Sequence, residues 1–284
     1  MWLRRFAPAT LATLLGLAVG LLPGLSPAPA LADPPAGATI TAPDGPAQAW
    51  LVADLVSGRI LGGKDPYGQH APASTIKALL AMVVLDQIQP DAAVRATESS
   101  TDVECSCVGL VPGAVYTTRQ LLDALMMVSG NDAANLLGEM LGGTQVAVAK
   151  MNAKAYQIGA RATRAGSPSG LDGPGWESVT TPRDLALIYQ AALNYPLIVQ
   201  AIHQRTAMFP DGAGGMKQIA SHDRLLPDYP GFIGGKTGYT NLAQDTYVAI
   251  AQRDGRRLIA VMMYSPDALW DQGRELLNWG FAQP

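Results

Sequence analysis

Three short groups of residues carry the chemistry that this sequence offers, in the order Ser74-Thr75-Ile76-Lys77, Ser129-Gly130-Asn131 and Lys236-Thr237-Gly238. In the first, Ser74 follows Pro72-Ala73 at a helix start and Lys77 lies three residues on, one turn away on the same face. The amine can therefore reach the hydroxyl. A serine alcohol is a weak nucleophile until a base takes its proton, and a lysine is a base only when neutral, a state favoured by burial or by a second cation nearby. Lys236 is the candidate for that second cation. A serine cap beside a solvated lysine is the ordinary alternative for such a pair.

In the second group a Gly-containing turn between two apolar segments projects two short polar side chains. Ser129 is suited to relay a proton, and Asn131 to donate to a substrate carbonyl and orient Lys77. The competing reading is a turn with a helix cap at Asn131 or Asp132. The third group follows Gly234-Gly235 at the start of a strand, where a ligand can approach the backbone closely or pair along it as an added strand. Lys236 and the Thr237 hydroxyl would then hold a terminal carboxylate. The backbone N–H groups of Ser74 and Tyr239 would form an oxyanion hole across Gly238. Each group alone is weak, but chance places all three in a chain of this composition only about 0.002 times.

The elements that must position these groups follow from periodicity. Residues 49–56 and 59–61 flank Ser57-Gly58 as a strand pair with a tight turn. Ile76, Leu79, Leu80, Val83 and Val84 have helical spacing over 74–88, and Pro90 ends the run. A second helical block, 118–141, is interrupted at Ser129-Gly130-Asn131. Segments 151–158 and 180–193 also read as helices, the latter with Thr181 as cap and Pro182 at the first helical position. Period two returns near Phe232. Strands at 246–252 and 257–263 are joined by a hairpin turn at 253–256, and 266–281 forms a closing helix. The predicted fold is α+β: an antiparallel sheet made from the N- and C-terminal segments, flanked by helices, with an inserted, mainly helical part.

Composition narrows the class. The 284 residues are 48% hydrophobic and 15% charged with a net charge of −3, which argues against disorder and against a nucleic-acid surface. Residues 1–32 have the basic, apolar and small-x-small regions of an exported protein's signal, ending at Ala30-Leu31-Ala32. Residues 33–46 read as an extended lead-in, and 47–284 as one catalytic domain with a sheet part (about 47–75 and 222–284) and a helical part (about 76–221). The two cysteines, Cys105 and Cys107, can form a very small ring that shapes a loop, remain free thiols, or contribute to a metal site. No Gly-x-Ser-x-Gly elbow, His-Glu-x-x-His, Walker loop or dinucleotide fingerprint occurs, and His70, His203 and His222 are scattered. Neither a cofactor nor a metal is expected. The Met126-Met127 and Met262-Met263 pairs read as core.

With these motifs the chain resembles the penicillin-binding-protein and serine β-lactamase superfamily, and within it the low-molecular-mass D-alanyl-D-alanine carboxypeptidases. The longer stretches 71–77, 127–134, 167–172 and 234–240 carry the likeness. It implies a site between a sheet part and a helical part, and removal of the terminal D-Ala from peptidoglycan stem pentapeptides through an acyl-serine. It also implies acylation by β-lactams as covalent inhibitors; the leader places the product outside the cytoplasmic membrane, the acidic net charge argues against nucleic acid, and no obligate protein partner is evident. The implied catalytic residues are Ser74, Lys77 and Ser129, with Asn131, Lys236, Thr237, Gly238 and Tyr239 binding substrate.

Departures from the family pattern define the alternatives. Many members carry a second β-rich domain and an amphipathic anchor, whereas this chain closes soon after its last helix, so access or anchoring is expected to differ. The segment 176–181 lacks a His that is usual there, and Ala243-Gln244 stands where Ala-Gly is common. A class A β-lactamase would need a deacylating Glu, for which Glu177 is the one tempting acid. A transpeptidase would use the same residues, and a non-catalytic cell-wall or β-lactam-binding module would not need a nucleophile beside its base.

Overall fold

The computed structural model describes residues 30–32, 41–267 and 269–284; the remainder of the expected leader and lead-in lies outside the described residues. In chain order the elements are β1 (Ala49–Asp54), β2 (Arg59–Lys64), a 3-10 turn (Ala73–Ile76), α1 (Lys77–Gln87), β3 (Ala93–Arg95), α2 (Glu98–Thr101), β4 (Val115–Thr117), α3 (Thr118–Met127), α4 (Asn131–Met140) and α5 (Thr144–Gln157). There follow α6 (Pro182–Ala192), α7 (Pro196–His203), β5 (Thr206–Pro210), β6 (Met216–Ala220), β7 (Phe232–Thr240), β8 (Gln244–Arg253), β9 (Arg256–Ser265) and α8 (Trp270–Ala282).

Five strands form one antiparallel sheet in the order β2-β1-β9-β8-β7, with β7 at the edge. Period-two alternation sorts its side chains onto two cores. Leu51, Ile259, Val261 and Ile250 face the helical side, whereas Trp50, Val52, Ala260 and Tyr247 face the other. There α8 covers them with Leu276, Leu277 and Trp279, while α6 packs on β1 and β9 from the opposite side. Both faces are covered, which explains why β8 and β9 read as nearly continuous apolar runs.

The helical part is built around α1. Every residue from Lys77 to Val84 is buried, so this helix is enclosed on all sides, and Lys77 is the one charged residue in that run. The caps expected from sequence are present at α6, where the Thr181 hydroxyl accepts from Asp184 N–H and Pro182 opens the helix. At α4 the cap is Gly130, with no side-chain bond, so Asn131 is left to the site. Helix α5 begins at Thr144, well before the expected 151, because the buried face of its first two turns is Ala147 alone, too small to register as apolar periodicity. The short pairs β3–β4 and β5–β6 were not expected either.

Near the N-terminus, Ala32 pairs in parallel with Arg59, its N–H donating to Gly58 O and its carbonyl accepting from Ile60 N–H, both at 2.8 Å, and Leu31 is buried in the core. This contact exists only in chains that retain these residues.

Candidate active site

The three groups found in the sequence converge on one cleft of about 360 Å3, lined by Ser74, Ser129, Asn131, Thr237, Gly238 and Tyr239 together with Glu104, Cys105, Ser106, Leu171, His222, Asp245 and Trp270. Ser74 is in the 3-10 turn ahead of α1, and the Ala73 before it has φ +47°, a left-handed conformation rare for a residue with a Cβ. Several long-range bonds hold that turn. The Tyr189 hydroxyl donates to Thr75 O at 2.9 Å, and the Thr246 hydroxyl donates to Pro72 O at 3.0 Å. Gly170 packs so closely that a Cβ there would be 2.0 Å from Ala73 O.

Lys77 Nζ is 2.6 Å from Ser74 Oγ, 2.7 Å from Asn131 Oδ1 and 3.5 Å from Ser129 Oγ. Lys236 Nζ is 2.8 Å from Ser129 Oγ and 2.6 Å from Thr237 O. The two amines thus share one hydroxyl. Both side chains are buried, at 0% and 3% exposure, and two adjacent buried ammonium groups are costly. Burial, and after it the charge of Lys236, hold Lys77 well below the usual lysine range, against an upward pull from Asp132. Burial brings Lys236 down to about 7, opposed by Asp223. Burial and the neighbouring cation both act on Lys77, whereas Asp223 opposes the shift at Lys236, so the neutral form is favoured at Lys77. With Lys77 neutral, the Ser74 hydroxyl donates to its nitrogen, the arrangement of a nucleophile with its base.

Ser129 has φ +59°, and that left-handed backbone turns its hydroxyl toward the two amines at the junction of α3 and α4. The Asn131 carboxamide is fixed at both ends, its Oδ1 on Lys77 and its Nδ2 donating to Glu104 O at 2.7 Å. Asp132, buried beside it, accepts from the N–H groups of Val108, Gly109 and Leu110 at 3.0, 2.8 and 2.9 Å. Sequence reasoning offered Asp132 only as a possible cap, whereas it anchors the loop that walls the cleft. Cys105 and Cys107 form a disulfide in that same loop, which settles their three-way ambiguity.

On the opposite wall, Gly238 has no room for a side chain, since a Cβ would be 2.7 Å from Ser74 N. The edge of β7 is thereby brought against the backbone N–H of Ser74. Asp172 accepts from the Thr240 hydroxyl at 2.7 Å and ties the 167–172 segment to β7. Two residues went unrecognised in the sequence. His222, read there as scattered, lines the cleft, and its backbone N–H donates to Met127 O at 3.0 Å. Asp223, beneath β7, accepts from the Tyr247 hydroxyl at 2.8 Å and from Leu225 N–H at 2.9 Å. Burial raises its carboxyl to about 6, opposed by those two bonds and by Lys236. A His-Asp pair shortly before a glycine-rich strand was the available signal for both. His70 and His203 lie elsewhere, the former against Asp65 and Tyr264, the latter against Ile233 O. Glu177 accepts from Gly175 N–H and is not among the residues lining the cleft.

A serine with an enclosed amine base, a second cation across a shared hydroxyl, and a β-edge running past the nucleophile define an active-serine acyl-transfer enzyme of the penicillin-binding-protein fold. Residues 36–267 match the family of D-alanyl-D-alanine carboxypeptidases, peptidase family S11, and the chain belongs to it. It is 53% identical over 253 residues to the D-alanyl-D-alanine carboxypeptidase DacB2 of Mycobacterium tuberculosis, covering 87% of this chain and 86% of that one. A solved D-alanyl-D-alanine carboxypeptidase from the same organism superposes with a TM-score of 0.85 at 52% identity, covering 88% of this chain and 96% of the other. The Streptomyces K15 DD-transpeptidase superposes with a TM-score of 0.79 at 28% identity, covering 86% and 100%.

Proposed function

We propose that this protein is a serine carboxypeptidase that removes the terminal D-Ala from peptidoglycan stem peptides ending in D-Ala-D-Ala, and that β-lactams acylate the same serine. The observation that carries the reading is the fully buried Lys77 amine 2.6 Å from Ser74 Oγ, in a setting where burial and the Lys236 charge favour its neutral form. Lys77 takes the Ser74 proton as Oγ attacks the carbonyl of the penultimate residue. The Ser74 and Tyr239 backbone N–H groups receive the developing oxyanion, and Lys236 with Thr237 holds the terminal carboxylate. Ser129, within reach of both amines, gives its proton to the leaving D-Ala nitrogen and regains one from Lys77. Lys77, neutral again, then deprotonates the water that hydrolyses the acyl-serine. Asn131 holds Lys77 in line and donates its remaining amide hydrogen to the substrate.

The small-x-small leader and the Cys105–Cys107 disulfide support action outside the cytoplasmic membrane. The position of Glu177 outside the cleft disfavours a class A β-lactamase. Likeness to a DD-transpeptidase favours one further outcome, transfer of the acyl group to an amine. The test is release of free D-Ala from a peptide ending in D-Ala-D-Ala, with and without an amine acceptor, beside Ser74→Ala. Release that vanishes in the variant is expected. Equal release from both proteins, or from neither, would overturn the reading.

A further inference from the structure

The Cys105–Cys107 ring is placed on the active site, and nothing in the steps above uses it. Cys105 is exposed and lines the same cleft as Ser74. The two backbone carbonyls adjoining that cysteine are the ones that hold Asn131. Glu104 O accepts from Asn131 Nδ2 at 2.7 Å, and Ser106 O accepts from Asn131 N–H at 2.6 Å. The Ser106 hydroxyl in turn donates to Val128 O at 3.1 Å, next to Ser129. Downstream, Asp132 secures Val108, Gly109 and Leu110. Upstream, helix α2 ends at Thr101, and no regular element intervenes before residue 108. The disulfide closes a small ring around Ser106, between Glu104 and the segment that Asp132 anchors, and so restricts the backbone that presents both carbonyls to Asn131.

We propose that this disulfide is a redox-sensitive clamp on Asn131: a dithiol that reduces it slows acylation of Ser74, and reoxidation restores the rate. In the exchange, one thiolate of the dithiol attacks a protein sulfur and breaks the Cys105–Cys107 bond. The reagent's second thiolate then attacks the resulting mixed disulfide, closing the reagent's own disulfide and expelling the second protein sulfur, so that the dithiol has passed two electrons and two protons to the protein, which now carries two thiols. With the ring open, Glu104 O no longer fixes the Asn131 carboxamide, which is then free to swing about its contact with Lys77, and Lys77 is held less well in line with Ser74. Asn131 itself remains, so the loss is one of positioning. It corresponds to about one hydrogen bond, or roughly a tenfold slower acylation.

The inference rests on the assigned roles of Ser74 and Lys77, and the experiment separates the two. The full chain is kept oxidised, reduced with dithiothreitol followed by desalting with thiols counted, or reoxidised. Each form is reacted with a fluorescent penicillin and assayed for D-Ala release. The expected result for the reduced form is an undiminished burst amplitude with a burst rate about tenfold lower at saturating penicillin, and full recovery on reoxidation. The double variant Cys105→Ala with Cys107→Ala should be equally slow and unaffected by dithiothreitol, which decides the matter even if the wild-type disulfide resists reduction. A double variant, or a reduced protein with two titrated thiols, that acylates at the oxidised rate overturns the proposal. So does a loss confined to burst amplitude, which marks unfolding. If oxidised protein reacts with penicillin yet releases no D-Ala, the assigned function fails while the clamp remains tested by the penicillin rates.

Discussion

Replacement of Lys236 by Gln separates the two tasks its charge performs. Lys236 Nζ is 2.8 Å from Ser129 Oγ and 3% exposed; in the proposed mechanism it meets the substrate carboxylate, and its charge is the second cause, after burial, of the lowered Lys77 pKa. A charge-assisted hydrogen bond contributes about 1.5 to 3 kcal/mol, so kcat/KM for a peptide with a free C-terminal carboxylate should fall by about 10- to 150-fold. A peptide capped as the amide never had that ion pair. It should lose less, so the preference for carboxylate over amide collapses. The second task appears in the pH dependence of penicillin acylation. Acylation needs neutral Lys77 and fails as pH falls through the pKa of that amine. Burial is the largest cause of the low value and Lys236 the second, so removing Lys236 lets the Lys77 pKa rise in part, and the acid limb moves to higher pH. In the wild type an alkaline limb reports loss of the Lys236 proton, from about 7 in the free protein and higher once a carboxylate is bound. In Lys236→Gln that limb should disappear. An unchanged carboxylate preference, together with an acid limb that stays put or moves to lower pH, would refute the division of charge between the two lysines.

Gly170→Ala tests the support under the nucleophile. At φ +83°, with its Cβ directed 2.0 Å from Ala73 O, the substitution should destabilise the fold by about 2 to 5 kcal/mol and slow acylation by displacing the Ser74 turn, as read by denaturant unfolding and penicillin burst rate. Wild-type stability would mean that the close approach is relieved without cost. Asp223→Asn tests the buried carboxyl beneath β7. The folded state holds at about 6 a proton that the unfolded chain releases near 3.8, so stability should fall by about 3 kcal/mol as pH rises across that window and remain lower above it. The variant should lack this fall; matching pH slopes for the two proteins would place the Asp223 titration elsewhere.

The chemistry was more legible in the sequence than the frame that holds it. Ser74 and Lys77 are one helical turn apart, and that spacing alone put amine beside hydroxyl, as found. Lys236 as second cation followed from chemistry, because a neutral lysine needs a reason to be neutral. The sheet was readable through hairpin signals on both sides of the chain. Hidden features were those made by backbone atoms distant in sequence. Glu104 contributes a carbonyl to Asn131 across 27 positions, and Asp132 collects three N–H groups more than 20 positions away. Neither leaves a side-chain period to detect. His222 reads as isolated because its partners in the cleft belong to elements that meet only in the folded chain. The first two turns of helix α5, 144–150, escaped because their buried face is Ala147 alone, a small residue that buries well without raising apolarity.

The central claim is that Ser74 forms the acyl bond and that Lys77 makes it able to. Its most direct test is intact-mass and peptide-mapping measurement after brief exposure to benzylpenicillin, for the native chain, Ser74→Ala and Lys77→Ala at equal thermal stability. The expected result is one whole-drug adduct on the peptide bearing Ser74 in the native chain, none in Ser74→Ala, and acylation slower by about 100-fold or more in Lys77→Ala. An adduct on another residue, or a native rate in Lys77→Ala, would contradict the account.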